Sequence, residues 1–227
     1  EIKMGRFGSV YADEAIIAHS NEGDFIEFSA NPKTEALLDR IITIKIPYNL
    51  RVSEEQQIYD LMLQAVGFQE AGVHISPLVL PVMATFAVLS RLDPPDKQGM
   101  SLADKLRLYD GEMVSPYTKQ DVAEIQRHHP NEGMKGISPR YVMNCLDAAA
   151  SRLNVSCISP LAALDSLWQG LRENISLDQQ DSSRYVMFVE DTVKRYGELA
   201  INQIQKAFEE SFEQTANMLL EGYLANV

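Results

Sequence analysis

The stretch AIIAHSN (Ala15–Asn21), followed through EALLDR (Glu35–Arg40) into IITIKIP (Ile41–Pro47), decides how this chain is read. An apolar, β-branched run ends abruptly in a polar tip, a short helix follows, and a second apolar run comes next. Short apolar runs bounded by turn residues are the pattern of buried parallel strands, and a helix between them predicts a βαβ-like crossover. Ligands of such sheets gather at the carboxyl ends of strands, which makes Asn21 the first candidate site residue. Beyond it, Ile58, Leu61, Met62 and Ala65 recur at helical spacing, so the change from sheet to helix is placed near Pro47–Ser53.

The helical part is legible in pieces. Ser76-Pro77 supplies an N-cap and a first-turn proline for a helix running to about Leu92, where Asp-Pro-Pro stops it. That helix is apolar almost all round, which predicts the centre of a bundle. LADKLRLYDGE (Leu102–Glu112) reads as an amphipathic helix closed by Asp110-Gly111, and a connector holding one short helix (about Lys119–Arg127) follows. Ser159-Pro160 opens another helix through Leu171. Two long helices are expected after Asp178, roughly 179–196 and 198–225, interrupted at Gly197, with Phe208, Phe212, Leu219, Leu220, Tyr223 and Leu224 on a packing face.

Composition narrows the function classes. At 227 residues, 45% apolar and 23% charged, the chain is one large or two small globular domains with ample core. Its net charge of −12 disfavours a sequence-independent grip on nucleic-acid phosphate, so no nucleic acid is expected as partner. No apolar run reaches the length of a membrane span, so no membrane partner is expected either. Cys145 and Cys157 have no neighbours at zinc spacing and read as reduced, buried thiols of a cytoplasmic protein, with no metal site. Ile2–Ala12, with Gly5 and Gly8, suggests a hairpin or loop, and His128 and His129 point too far apart to share a metal and read as surface residues. The opening EIKMGRF has no signal-peptide core and no initiator Met, and the chain is expected to be a piece of a longer protein.

Four segments in order, IIAHSNEGDF, NPKTEALLDRIITIKIPYNLRVSEEQQIY, LRLYDGE and EGMKGISPRYVMN, resemble the PrkA family over nearly the whole chain. These are bacterial proteins described as serine protein kinases that carry an AAA+ module. The resemblance implies a mostly α fold with a small α/β part: the C-terminal remnant of an AAA+ parallel sheet (1–52), a helical lid region (53–157) and a helical extension (158–227). It implies ATP and Mg²⁺ in a full-length parent, with none expected bound to this piece, and a ring-forming homo-oligomer acting on an unknown protein substrate.

The resemblance also gives roles to residues that have structural readings of their own. Asn21 matches sensor 1, an amide that orients the attacking water, and would equally suit a turn at a strand end. Arg40 matches the arginine finger offered to a neighbouring subunit's ATP, and would equally suit a cation in a last helical turn. Arg51 is the weaker alternative and reads as paired with a nearby carboxylate. In GISPRYVMN (Gly136–Asn144), Ser138 caps a helix, Pro139 opens it, and Arg140 places a cation at the positive end of the helix dipole. A bound phosphate would account for that choice, and in the resemblance Arg140 is the sensor 2 arginine of the lid; the plain alternative is an outward contact with a carboxylate. Asp110 and Glu112 read as solvated acids beside a turn, or as an Mg²⁺ or acid–base pair.

Two absences bound the activity. The sequence contains no G-x-x-x-x-G-K-[ST] loop and no strand ending in paired acids before Asn21, so the piece alone is expected neither to bind ATP tightly nor to hydrolyse it. It also lacks the Val-Ala-x-Lys, His-Arg-Asp and Asp-Phe-Gly motifs of a protein-kinase fold. An ATP-dependent kinase or ATPase and a non-catalytic helical interaction and oligomerisation module are the two readings that stand.

Overall fold

The computed structural model describes residues 2–3, 9–10, 15–67, 72–153, 156–173 and 179–224. The chain divides into two units, Glu1–Lys45 and Ile46–Val227.

In the first unit, β1 (Ile2–Lys3) pairs antiparallel with β2 (Ser9–Val10), in the register Ile2 to Val10. The expected turn role of Gly5 and Gly8 lies outside the described residues. Helix α1 (Glu22–Ala30) begins at Asn21 and ends at Asn31, which also caps a 3₁₀ turn at Pro32–Thr34. Helix α2 (Glu35–Leu38) follows, and Arg40 lies in the turn after it.

The two isoleucine runs that flank these helices form no strands, which corrects the sequence reading. Residues 15–20 and 41–47 are irregular, and Ile17 and Ile42 are 94% and 87% exposed. Parallel strands persist when both faces are covered. Neither α1 nor α2 buries a residue, so nothing among the described residues of this unit covers these runs.

The second unit holds the core, and helix α4 (Val79–Arg91) is its axis. Its sequence VLPVMATFAVLSR has no polar face, and Val79 and the eleven residues from Val82 through Leu92 are buried. Pro81 falls in the first turn, where its missing N–H costs nothing. Around α4 pack α3 (Val52–Val66), α5 (Leu102–Tyr109), α7 (Pro139–Leu153), α8 (Pro160–Glu173) and α9 (Gln179–Leu224). Helix α6 (Lys119–His128) packs on α5. The parallel pairing that the sequence suggests further upstream is found here: β3 (His74–Ile75) pairs with β4 (Cys157–Ile158), His74 opposite Cys157. The fold is thus mostly α with a small parallel α/β part, as expected, with its strands displaced from the expected segments.

Helix α9 corrects a second expectation. It runs unbroken for 46 residues, roughly 70 Å at the usual rise, straight through Gly197. One glycine costs about 1 kcal/mol against alanine, too little to break a helix already propagating on both sides. The early part is fixed to the core by Tyr185, Phe188, Val189 and Thr192, all buried, with the Tyr185 ring edge-on to Phe86 at 6.2 Å. The later part is not buried: Ile201, Ile204, Phe208 and Phe212 are 55–74% exposed, so the expected packing face is unpartnered among the described residues. Leu219, Tyr223 and Leu224, expected on the same face, have side chains outside the description.

Candidate functional site

The candidate site is built around the first turn of α7. Ser138 Oγ accepts from the Tyr141 amide at 3.2 Å, and its carbonyl accepts from Tyr141 and Val142, so Ser138 acts as the expected cap. Pro139 is the first helical residue and Arg140 the second. Arg140 is exposed and has no carboxylate partner among the described residues. The outward ion pair that would make this cation merely structural is therefore not formed here.

The loop leading into this turn, Glu132–Ile137, is anchored by two buried charge clusters that the sequence reading missed. Arg91, at the end of α4, and Glu55, in the first turn of α3, have fully buried side chains. The guanidinium is bidentate on the carboxylate, Nη1 to Oε2 at 2.8 Å and Nη2 to Oε1 at 2.5 Å. Its remaining donors go to backbone: Nη1 to the Asn49 carbonyl at 2.8 Å, and Nε and Nη2 to the Ile137 carbonyl at 3.1 and 2.8 Å. The ring of Tyr48 lies 4.8 Å from the guanidinium carbon. Next to it, Ser90 Oγ accepts from the Ile137 amide at 2.9 Å. Burial first, and then the charge of Glu55, push the pKa of the neighbouring Tyr59 hydroxyl up.

The second cluster holds the other end of the loop. Lys105 Nζ donates to Glu132 Oε1 at 2.5 Å and to the Asp93 carbonyl at 2.9 Å. Glu132 also accepts from the Tyr109 hydroxyl at 2.8 Å and from the Asp93 amide at 2.7 Å, so its carboxylate is well satisfied. Burial, followed by this carboxylate, raises the Tyr109 pKa. Between the clusters the backbone runs close to its supports. Gly133 donates to the Arg91 carbonyl, and a Cβ on Gly136 (φ +117°) would lie 2.7 Å from Arg91 Cγ. The sequence signal for Arg91 is a lone charge closing an apolar run; Glu132, between Pro130 and Gly133, carries none.

The other candidates resolve differently. Asp110 accepts from both the amide and the hydroxyl of Ser53, and Glu112 holds Arg107 at 2.7 Å and Arg195 at 2.5 Å. Both acids are structural partners and are not solvated as a pair. Arg51 pairs with Glu54 at 3.0 Å, as expected. His128 is exposed, but His129 is largely buried and faces Asp96 at 3.3 Å and Asp93 at 3.8 Å, so only one of the two is a surface residue. Cys145 is buried and Cys157 exposed, neither of them in a disulfide, which corrects the reading of two buried thiols. No group of three or more His, Cys, Asp or Glu among the described residues could hold a metal, and no helix there is long and apolar enough to cross a membrane.

In the first unit, Asn21 Oδ1 accepts from the Asp24 amide at 2.7 Å, the geometry of a helix N-cap. Its expected seat at a strand tip is absent, because the run before it is irregular. Arg40 is exposed in the turn after α2, its amide bonded to the Leu37 carbonyl, with no ion pair among the described residues.

Comparison with known proteins bears directly on these features. Residues 2–99 match the family model described as the PrkA AAA domain, and residues 103–227 match that of the PrkA serine protein kinase C-terminal domain. The chain is similar to the ATP-dependent protease PrkA of Bacillus subtilis strain 168, 43% identical over 99% of this chain and 35% of that protein. It is also similar to the serine/threonine kinase YeaG of Escherichia coli strain K12, 30% identical over 92% of this chain and 32% of that protein. It thus spans about a third of the length of these curated relatives. No solved structure matches it. Two family models, meeting in the loop between α4 and α5 and together covering almost every residue, show that the chain belongs to the PrkA family.

Proposed function

We propose that this chain is the sensor and lid portion of an ATP-dependent PrkA-type protein. In this reading Arg140 contacts the γ-phosphate, Asn21 orients the nucleophile, and Arg40 serves the ATP of a neighbouring subunit in a homo-oligomeric ring. The phosphate-cradling loop and the acidic Mg²⁺ site are supplied by parts of the full-length parent other than these 227 residues, so the chain alone does not turn over ATP. The observation that carries the reading is Arg140: an exposed cation in the first turn of α7, without an ion-pair partner among the described residues, where the dipole disfavours it unless an anion is bound.

The names of the relatives divide over the use to which ATP is put: one is an ATP-dependent protease, the other a serine/threonine kinase. A site that handles a γ-phosphate serves either. The test uses the full-length parent with γ-labelled ATP, following free phosphate, label on protein serine and cleavage of a casein reporter together, for wild type and for Arg140→Ala and Arg40→Ala. Loss of one charge-stabilising donor is expected to lower turnover by about 10²–10³-fold. Wild-type turnover in Arg140→Ala overturns its role, and likewise for Arg40→Ala. Label on serine identifies a kinase; phosphate release with casein cleavage identifies a protease.

A second reading has its own support. The exposed stripe Ile201, Ile204, Phe208 and Phe212 suits a helical interaction module. A parent that turns over no ATP, and whose assembly is lost on Phe208→Asp, would favour it.

A further inference from the structure

We infer that Arg91, held by Glu55 and assisted by Ser90, is a positioning residue for Arg140, setting where α7 begins and hence where its first-turn arginine points. The inference rests on the γ-phosphate role proposed for Arg140.

A buried ion pair is a poor stabiliser, because the desolvation of both charges offsets most of their attraction, and an apolar pair of similar volume often does as well. What an arginine adds is geometry: a planar fork of donors with fixed directions. Here two of those directions are spent on Glu55 and three on main-chain carbonyls, two of them converging on Ile137. Ile137 immediately precedes the cap Ser138, and its amide is held as well, by Ser90 Oγ. Both backbone groups of the residue before the cap are thus fixed by consecutive residues at the end of the most buried helix.

The rest of the loop is held with as little play. Gly136 leaves no room for a Cβ between Ser90 and Arg91, and Gly133 is bonded to the Arg91 carbonyl and accepts from Tyr48. Glu132 is tied to Lys105, Tyr109 and Asp93. Arg140 itself is exposed and has no ion-pair partner among the described residues, so its placement comes from the backbone that carries it. A shift of about 1 Å in such a support can cost on the order of 10²-fold in rate.

The experiment is done in the full-length parent. Ser90→Ala and the paired replacement Glu55→Met/Arg91→Met are made alone and together with Arg140→Ala, and kcat, KM and thermal midpoint are measured. The paired replacement removes the fork and leaves no unpaired charge. Expected is a fall in kcat of about 10–100-fold in variants that still melt cooperatively, with KM for ATP changed far less. Combined with Arg140→Ala, neither change should lower kcat by more than about twofold further, because both act through the same side chain. Wild-type kcat in a folded Glu55→Met/Arg91→Met variant would overturn the inference, as would losses that multiply in the Arg140→Ala background. Should the paired replacement not fold, Ser90→Ala decides by the same criteria. Full turnover in Arg140→Ala alone defeats the role of Arg140 and takes this inference with it, whereas a loss there with none in the Ser90 and Arg91 variants defeats only the inference.

Discussion

Asp110 Oδ1 accepts from the Ser53 amide at 2.9 Å and from the Ser53 hydroxyl at 2.7 Å, so the acid that ends α5 caps the start of α3. The two residues are 57 positions apart, and α3 has no side-chain cap of its own at Arg51. An N–H left without an acceptor at a helix start carries the cost of a lost cap. Asp110→Ala is therefore expected to destabilise the protein by about 1 kcal/mol, read from urea unfolding, while leaving ATP turnover in the full-length parent unchanged. A loss of turnover with stability intact would make Asp110 a candidate catalytic acid again.

Lys105 and Glu132 form a buried pair whose side chains are almost wholly inaccessible. Removing one partner leaves the other charge uncompensated, so Lys105→Met is expected to cost about 3–5 kcal/mol. Replacing both, as Lys105→Met/Glu132→Leu, should recover much of that loss, although the Tyr109 hydroxyl and the Asp93 amide then lose their acceptor. Equal destabilisation of the single and the paired variant in urea unfolding would refute the account.

How much of the fold is legible in the sequence depends on the range of the interaction. The apolar run of α4, the Ser138-Pro139 start of α7 and the Arg51–Glu54 pair are local, set by residues within a few positions, and each stands where the sequence reading puts it, except that α4 begins at Val79 after Leu78 and not at the expected Ser76-Pro77 cap. The strands are misplaced in that reading because an apolar run records only a tendency to be buried. Ile16 and Ile42 lack a cover among the described residues of their unit, while the short His74–Ile75 and Cys157–Ile158 segments find each other across 83 positions. The supports of the candidate site are invisible for the same reason: Arg91 meets Glu55 and Ile137 from 36 and 46 positions away. At Asn21 the local reading is a turn at a strand end; the geometry contains instead the N-cap of α1, a helix that reading did not include, and the sensor reading needs a partner molecule.

Asp121 gives a pH test. The hydrogen bond from Lys97, then those from the Thr118 hydroxyl and amide, hold its pKa down at about 2, from an ordinary 3.8. The folded state thus binds this proton less readily than the unfolded one. Its contribution to stability is complete above 3.8 and is lost as pH falls through about 2. In Asp121→Asn the urea midpoint should accordingly fall less steeply with acidification in that window than in the wild type. Parallel curves for the two proteins would mean that Lys97 and Thr118 do not hold the carboxylate in solution.

Gly197 separates one continuous α9 from two abutting helices. A terminating glycine adopts a left-handed conformation that an alanine resists, whereas a glycine inside a helix only loosens it. Gly197 lies within the 46-residue helix, and a Cβ built on it meets no atom within 4 Å. Gly197→Ala should therefore stabilise by about 0.5–1 kcal/mol, mostly by restricting the unfolded chain and restoring helix propensity. The gain should be visible as a higher thermal midpoint and unchanged or increased helical circular dichroism. A lower midpoint would mean that the chain bends at Gly197, and that the exposed stripe from Ile201 onward belongs to a separate helix free to fold back.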